Sequence, residues 1–310
     1  MRKNGLAITA ALFTAVLALF SGCESFEGTG PPPADGCPGD SIVGDPHDTK
    51  PKLPNVVHVQ DVGDFGFNPA DVATVRPDIF NQGYFSLFDL LVHLDERGDI
   101  NLAYHFDEDM DTHVIDSLNG EPSWWYQVWY DGGWPEQSVH RIDYYPVKDK
   151  MHISFQKVEE DYLDQRYDIW RTEVERRRAN DRAIIVPEVR IRHFTDEWKF
   201  HDVEVTPHNL RYDMFREGVI TAADVIMSLG DAGDITYSML WYENIGDAEI
   251  KNYYVECIND FKHSGMCGFV YELGEEDDPA GNHIHVTPDI RVLMSPEYVY
   301  FFWIELGPCE

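Results

Sequence analysis

Residues 80–100 read FNQGYFSLFDLLVHLDERGDI, and residues 215–235 read FREGVITAADVIMSLGDAGDI. At a constant offset of 135, Phe80 matches Phe215, Gly83 matches Gly218 and Asp89 matches Asp224, and Leu94, Gly98, Asp99 and Ile100 match Leu229, Gly233, Asp234 and Ile235. The same offset pairs His58 with His193 and Phe65 with Phe200, so the chain carries an internal duplication. Each block has the pattern of one helix. Ser86 or Thr221 stands at the N-cap, with Asp89 or Asp224 three residues on, where a side chain can return to the cap N–H. Apolar residues follow at helical spacing (Leu87, Leu90, Leu91, Leu94; Ala222, Val225, Ile226, Leu229), and Gly98 or Gly233 suits the left-handed stop. The two aspartates are therefore read as caps before they are read as catalytic groups.

Working outward, short strand-like runs surround each helix. Residues 56–59 and 189–191 open the two copies. In the first copy, residues 113–118 precede an Asn119-Gly120 turn, residues 124–130 (WWYQVWY) follow, and residues 151–155 make a last strand. In the second, residues 253–258, 268–273 and 298–304 play these parts. One helix followed by several strands is an α+β unit of β-grasp type. The predicted fold is two tandem β-grasp-like domains, 55–157 and 184–310, joined by a charged helix over 158–183. That connector places Leu163, Tyr167, Trp170 and Val174 on one stripe. Its Arg176-Arg177-Arg178 run suits an anionic partner, or else neutralises the flanking acidic domains.

The order Gly83-x-x-Ser86-x-x-Asp89-Leu90-Leu91, then residues 114–120 (VIDSLNG), then Trp124-Trp125-Tyr126, resembles the transcobalamin C-terminal-like β-grasp family. The resemblance covers residues 56–156 closely and 188–305 more loosely. It implies a surface-displayed binding domain with a cobalamin-type ligand, because in transcobalamin this domain covers one face of the corrinoid. Two departures stand out: no helical barrel is present to grip the other face, and the second copy is read with Cys267-Gly268-Phe269 in the place of Trp124-Trp125-Tyr126.

Ahead of the repeats, Arg2 and Lys3 precede an uncharged apolar run over residues 6–20 that is too short to span a bilayer, which reads as a signal peptide over residues 1–22. The run ends Phe20-Ser21-Gly22-Cys23, which resembles a bacterial lipobox, so Cys23 is the expected lipidation site. Glu24 after that cysteine implies outer membrane or cell surface in a Gram-negative host. Residues 23–54, rich in Pro and Gly, read as an extended spacer lifting the folded part off the membrane. Cys37, Cys257, Cys267 and Cys309 then face an oxidising compartment. Cys257 and Cys267 stand ten positions apart across a turn, suggesting a local bridge and leaving Cys37 for Cys309.

Lys and Arg total 24 against 56 Asp and Glu, a formal charge of −32, which disfavours nucleic acid as a partner. No nucleophile elbow, zincin helix, P-loop or dinucleotide turn occurs, so no enzyme is expected. Asp107, Asp109 and Asp111 alternate as in a calcium loop, but Leu118 stands where the closing Glu belongs, so an acidic turn is the first reading and a metal site the second. His283 and His285 make a ligand pair only if a third group converges. The aromatic strand offers Trp125 and Trp129 on one face, with Trp134 nearby. The leading expectation is a lipid-anchored protein that stacks a small molecule, corrinoid-like or a glycan, on Trp125, Trp129 or Trp134, with polar contacts from Asn119 and Gly120. The rival is a non-catalytic structural or adhesion module that holds another envelope protein through repeat faces and open strand edges.

Overall fold

The computed structural model of the protein describes residues 27–28, 37, 39–46, 49–130, 139–245, 248–276, 278 and 286–307. Cys23, Trp134, His283, His285 and Cys309 lie outside them. The architecture is mixed α+β, with four sheets among the described residues. None of the described helices is long and apolar enough to cross a membrane.

Two short strands come first, β1 (Glu27–Gly28) and β2 (Ser41–Val43). A hairpin follows, β3 (Asn55–Val59) and β4 (Gly63–Phe67), in which alternation buries Val57 and Val59 completely. Helix α1 (Leu87–Glu96) comes next, then β5 (Leu102–Asp107), β6 (Thr112–Leu118), β7 (Trp124–Tyr130) and β8 (Met151–Lys157). The sheet order is β4-β3-β8-β7, with β3 and β8 parallel at the centre and the outer pairs antiparallel. β5 and β6 form a separate two-stranded sheet.

Helix α2 (Glu160–Ala179) connects to the second half, which runs β9 (Ile184–His193), β10 (Asp196–Val205), α3 (Ala222–Asp231), β11 (Tyr237–Ile245), β12 (Ala248–Ile258), β13 (Phe261–Lys262), β14 (Cys267–Gly274) and β15 (Tyr298–Glu305). Its main sheet has the order β10-β9-β15-β14, again with a parallel central pair. β11 and β12 stand where β5 and β6 stand in the first half, down to a register irregularity at one position, between Ala103 and Tyr104 and between Ser238 and Met239.

The helix ends follow the sequence pattern. The Ser86 N–H donates to Asp89 Oδ2 at 2.6 Å and the Thr221 N–H to Asp224 Oδ2 at 2.6 Å. At the other end, Gly98 and Gly233 take positive φ, and the N–H groups of Asp99 and Asp234 close on the Leu94 and Leu229 carbonyls at 3.0 Å. The register corrects one expected match. Tyr126 lies opposite Phe155 and Tyr271 opposite Phe301, while Phe155 and Phe301 occupy the same place beside Val59 and Ile191. Phe269-Val270-Tyr271, not Cys267-Gly268-Phe269, therefore stands where Trp124-Trp125-Tyr126 stands. Both tyrosines donate to a backbone carbonyl, His140 at 2.7 Å and Val286 at 2.5 Å.

The halves meet about an approximate twofold axis through Phe80 and Phe215, whose rings are 5.6 Å apart. The Asn81 N–H donates to the Met214 carbonyl and the Arg216 N–H to the Ile79 carbonyl, both at 2.8 Å. Their side chains repeat the exchange: Asn81 Nδ2 donates to the Tyr212 carbonyl at 2.9 Å and Arg216 Nε to the Pro77 carbonyl at 3.0 Å. This is the self-complementary contact of an isologous dimer, made within one chain. The core of the first half extends across it to Met214, Phe215, Ile290 and Val292. Helix α2 clamps both halves. Trp170 packs on Trp125 at 5.7 Å, Arg178 pairs with Asp109 at 2.8 Å, and Arg176 grips Glu275 through two bonds of 2.8 Å.

Two further expectations are corrected. The described part of the supposed spacer is docked on both halves: the Lys52 and Leu53 N–H groups donate to Asp149 Oδ1 of the first at 2.7 and 2.8 Å, and residues 40–44 lie on the second. β2 pairs in parallel with β11, the Asp40 carboxylate accepts from the Tyr237 N–H at 3.2 Å, and the Gly44 carbonyl accepts from Tyr253 Oη at 3.0 Å. The bridge joins Cys37 to Cys257, with Cα atoms 5.9 Å apart, in place of Cys257 to Cys267. Docking of β2 carries Cys37 to the end of β12, whereas Cys267 starts a strand of another sheet and is itself disulfide-bonded. With Cys37 taken by Cys257, the expected Cys37–Cys309 pair does not form.

Candidate functional site

The aromatic strand β7 is built inward on both faces. Trp124, Tyr126 and Val128 enter the sheet core, and Trp125 is 2% exposed, wedged between Tyr126 and Trp170 of α2. Trp129 is half-buried and stacks on His152 at 5.0 Å with planes 7° apart. The sequence offers Trp125 to a stacked ligand. The helix covers it.

Asn119 and Gly120 form an exposed turn with φ of 53° and 80°. The amide oxygen of Asn119 accepts from the Asn101 N–H at 2.8 Å, and Asn259 does the same for the Thr236 N–H at 3.1 Å. The turn thus holds its hairpin against the end of the helix in both halves. The acidic run is likewise occupied. Asp107 Oδ1 accepts from the Asp109 and Met110 N–H groups, Asp109 pairs with Arg178, and Asp111 lies 3.3 Å from Arg76. No group of three or more His, Cys, Asp or Glu side chains converges on a metal position among the described residues.

The buried charge of each half sits in a site that motif reading passed over. Arg76 donates to Asp78 and Asp143, and Arg211 to Asp213 and Asp289. Asp143 also accepts from the His113 N–H at 3.0 Å, as Asp289 does from the Tyr253 N–H at 2.9 Å. Burial works against the charge of both arginines, but hydrogen bonds and fields of the neighbouring aspartates drive their pKa above the ordinary value. Burial alone would raise the Asp143 carboxyl, but His113 and Arg76 bring it below the usual range. The signal was present as Arg-x-Asp-x-Phe at 76–80 and again at 211–215. Between the halves Lys148 donates to Asn252 Oδ1, and burial with repulsion from Arg211 pulls its pKa down to about 7.

The exposed aromatic surface of the first half lies on β5. Tyr104 and Phe106, two residues apart on one face, are 40% and 43% exposed. They rest on Phe88 and His113, with Phe88 to Tyr104 at 5.1 Å and Phe106 to His113 at 5.1 Å, and the Arg76 guanidinium sits 5.5 Å from the Phe106 ring. On the opposite face His105 pairs with Asp116 at 3.0 Å. Among the described residues no strand pairs with the outer edge of β5. Two open hollows among the described residues measure about 220 and 260 Å³ with their mouths included. Both are smaller than the roughly 300–1,000 Å³ of small-molecule sites.

No family model matches the chain, and neither a curated protein nor a solved structure resembles it closely enough to show a relationship.

Proposed function

We propose that this chain is a non-catalytic, lipid-anchored envelope module, two tandem β-grasp-like units locked into one body, that holds another envelope protein through open sheet edges. The β-grasp reading is supported by the hairpin, helix and parallel central pair that each half shares. The anchor at Cys23 and the outer-membrane or surface address rest on the leader residues alone. The observation that carries the binding mode is the disposition of aromatic side chains: Trp124, Trp125 and Tyr126 of β7 are packed inside, and Tyr104 and Phe106 of β5 stand out beside an edge that no described strand pairs. Co-purification from detergent-solubilised envelope tests it. A stoichiometric protein partner is expected, and a chain that elutes alone at every detergent and salt condition would refute it.

The second reading, a corrinoid or glycan stacked on the first half, keeps one support, the half-buried Trp129 on exposed His152 at the end of β7. If it holds, the natively purified body, residues 24–310, carries a chromophore or saccharide, and Trp129→Ala with Trp134→Ala abolishes its retention. Unchanged affinity in that double variant would rule the site out.

A further inference from the structure

The two halves treat equivalent edges differently. In the second half the chain covers the edge of β11 itself: Ser41, Ile42 and Val43 pair in parallel with Ser238, Met239 and Leu240, and β1 adds at Asn244 and Tyr242. The Cys37–Cys257 bridge fastens this cover. In the first half, Ala103, Tyr104 and His105 occupy the places of Ser238, Met239 and Leu240, since Leu102 and Tyr237 open the two hairpins in the same register. The residue in the place of Cys257 is Ser117, opposite Ala103 as Cys257 is opposite Ser238. The first half therefore has the same edge, with the same irregularity, but among the described residues neither a covering strand nor, at position 117, the cysteine that would fasten one.

An open edge beside exposed aromatic residues is a template for strand addition. We infer that the outer edge of β5 accepts an extended, basic segment of a partner protein as an added parallel strand, in the register that β2 takes on β11; this rests on the partner-binding reading above. The chemistry of the occupant follows from what differs between the two edges. Where Ile42 lies beside Met239, a branched apolar residue would lie beside Tyr104 and extend the Tyr104–Phe106 face. Where Val43 packs with Leu240, Tyr242 and Ile250, the first half presents His105 and Asp107, with Asp116 in the place of Glu256. A lysine or arginine there meets Asp116 and Asp107 and is favoured by the net charge of −32. The same charge opposes a second copy of this chain as the occupant.

Strand addition in this register makes a covalent test possible. Cys37 precedes Ser41 by four residues, so a peptide Cys-Pro-Gly-Lys-Ser-Ile-Lys docked on β5 as β2 docks on β11 brings its cysteine to position 117. The soluble body carrying Ser117→Cys, with Cys23 removed, is mixed with this peptide bearing a thionitrobenzoate disulfide. Attack by the new thiolate forms the protein–peptide disulfide and releases the coloured thiolate, which gives the rate. The expected rate is at least about tenfold above that of the same peptide with Pro for Ile, because Pro cannot join a ladder and templating raises the local thiol concentration. Adding Tyr104→Lys and Phe106→Lys should remove the advantage, with far-UV circular dichroism showing the fold retained. Equal rates for the two peptides on a protein whose thiol reacts with the free reagent would overturn the edge assignment. A partner that co-purifies with wild type and equally with the Tyr104→Lys, Phe106→Lys variant would overturn it too, while leaving the partner-binding reading intact. Absence of any partner would count against that reading instead.

Discussion

Lys148 provides a test of the junction between the halves that depends on its sign as much as its size. The side chain is buried, donates to Asn252 and has its pKa pulled from an ordinary 10.5 to about 7. Between those values the unfolded chain binds a proton that the folded chain lacks, so stability rises with pH through this window and is lowest below pH 7. The gap corresponds to about 5 kcal/mol in full, and to about 2.5 kcal/mol between about pH 7.5 and 9.5, at 1.36 kcal/mol per pH unit. Lys148→Met removes this dependence. It also leaves the Asn252 oxygen without its lysine donor, at roughly 1–3 kcal/mol, but that cost does not change with pH. Urea unfolding of both proteins under non-reducing conditions, stopped at about pH 9.5 before the buried tyrosines reach their ordinary 10.0, isolates the lysine. The variant should gain on wild type as the pH falls, by about 2.5 kcal/mol across the range. Curves parallel to within about 0.5 kcal/mol would refute the desolvated lysine and the dry junction it implies.

The paired arginine sites should behave alike. Arg76→Met and Arg211→Met each leave a buried aspartate without its cation and should each lower unfolding free energy by about 3–5 kcal/mol, and a loss in only one half would break the equivalence. At the axis, Phe80→Ala and Phe215→Ala should each cost about 3–5 kcal/mol, with a double variant that loses less than the sum because the rings pack on each other. Replacing Cys37 and Cys257 together by Ser should cost about 2–5 kcal/mol and speed amide exchange at Ser238, Met239 and Leu240. Unchanged exchange there would show that the bridge does not hold β2 on β11.

How far each element could be read from the sequence depends on how local its physics is. The capped helices α1 and α3 were legible because Ser86 with Asp89, Thr221 with Asp224, and the glycines Gly98 and Gly233 act on backbone groups within a turn or two. Most of the strands around them, β7 and β8 among them, were legible for the same reason. The match of Trp124-Trp125-Tyr126 to Cys267-Gly268-Phe269 missed by two residues, because insertions between helix and strand break the offset and only the ladder to Phe155 and Phe301 restores the register. Arg76 and Arg211 were visible as repeated letters, but nothing nearby in the chain announces that Asp143 and Asp289 will reach them.

By itself the sequence determined that the chain is an acidic α+β protein with an internal duplication and a charged helix between the copies, because periodicity, caps and offset are properties of neighbouring residues. The tertiary structure alone decided what covers each surface. Trp125 lies under Trp170, Cys37 is carried to Cys257 by a strand that composition marks as a spacer, and β11 is covered while no described strand covers β5. Those outcomes depend on which distant segment arrives at a given edge or face. Arrival is settled by the packing of the whole chain, which no local pattern records.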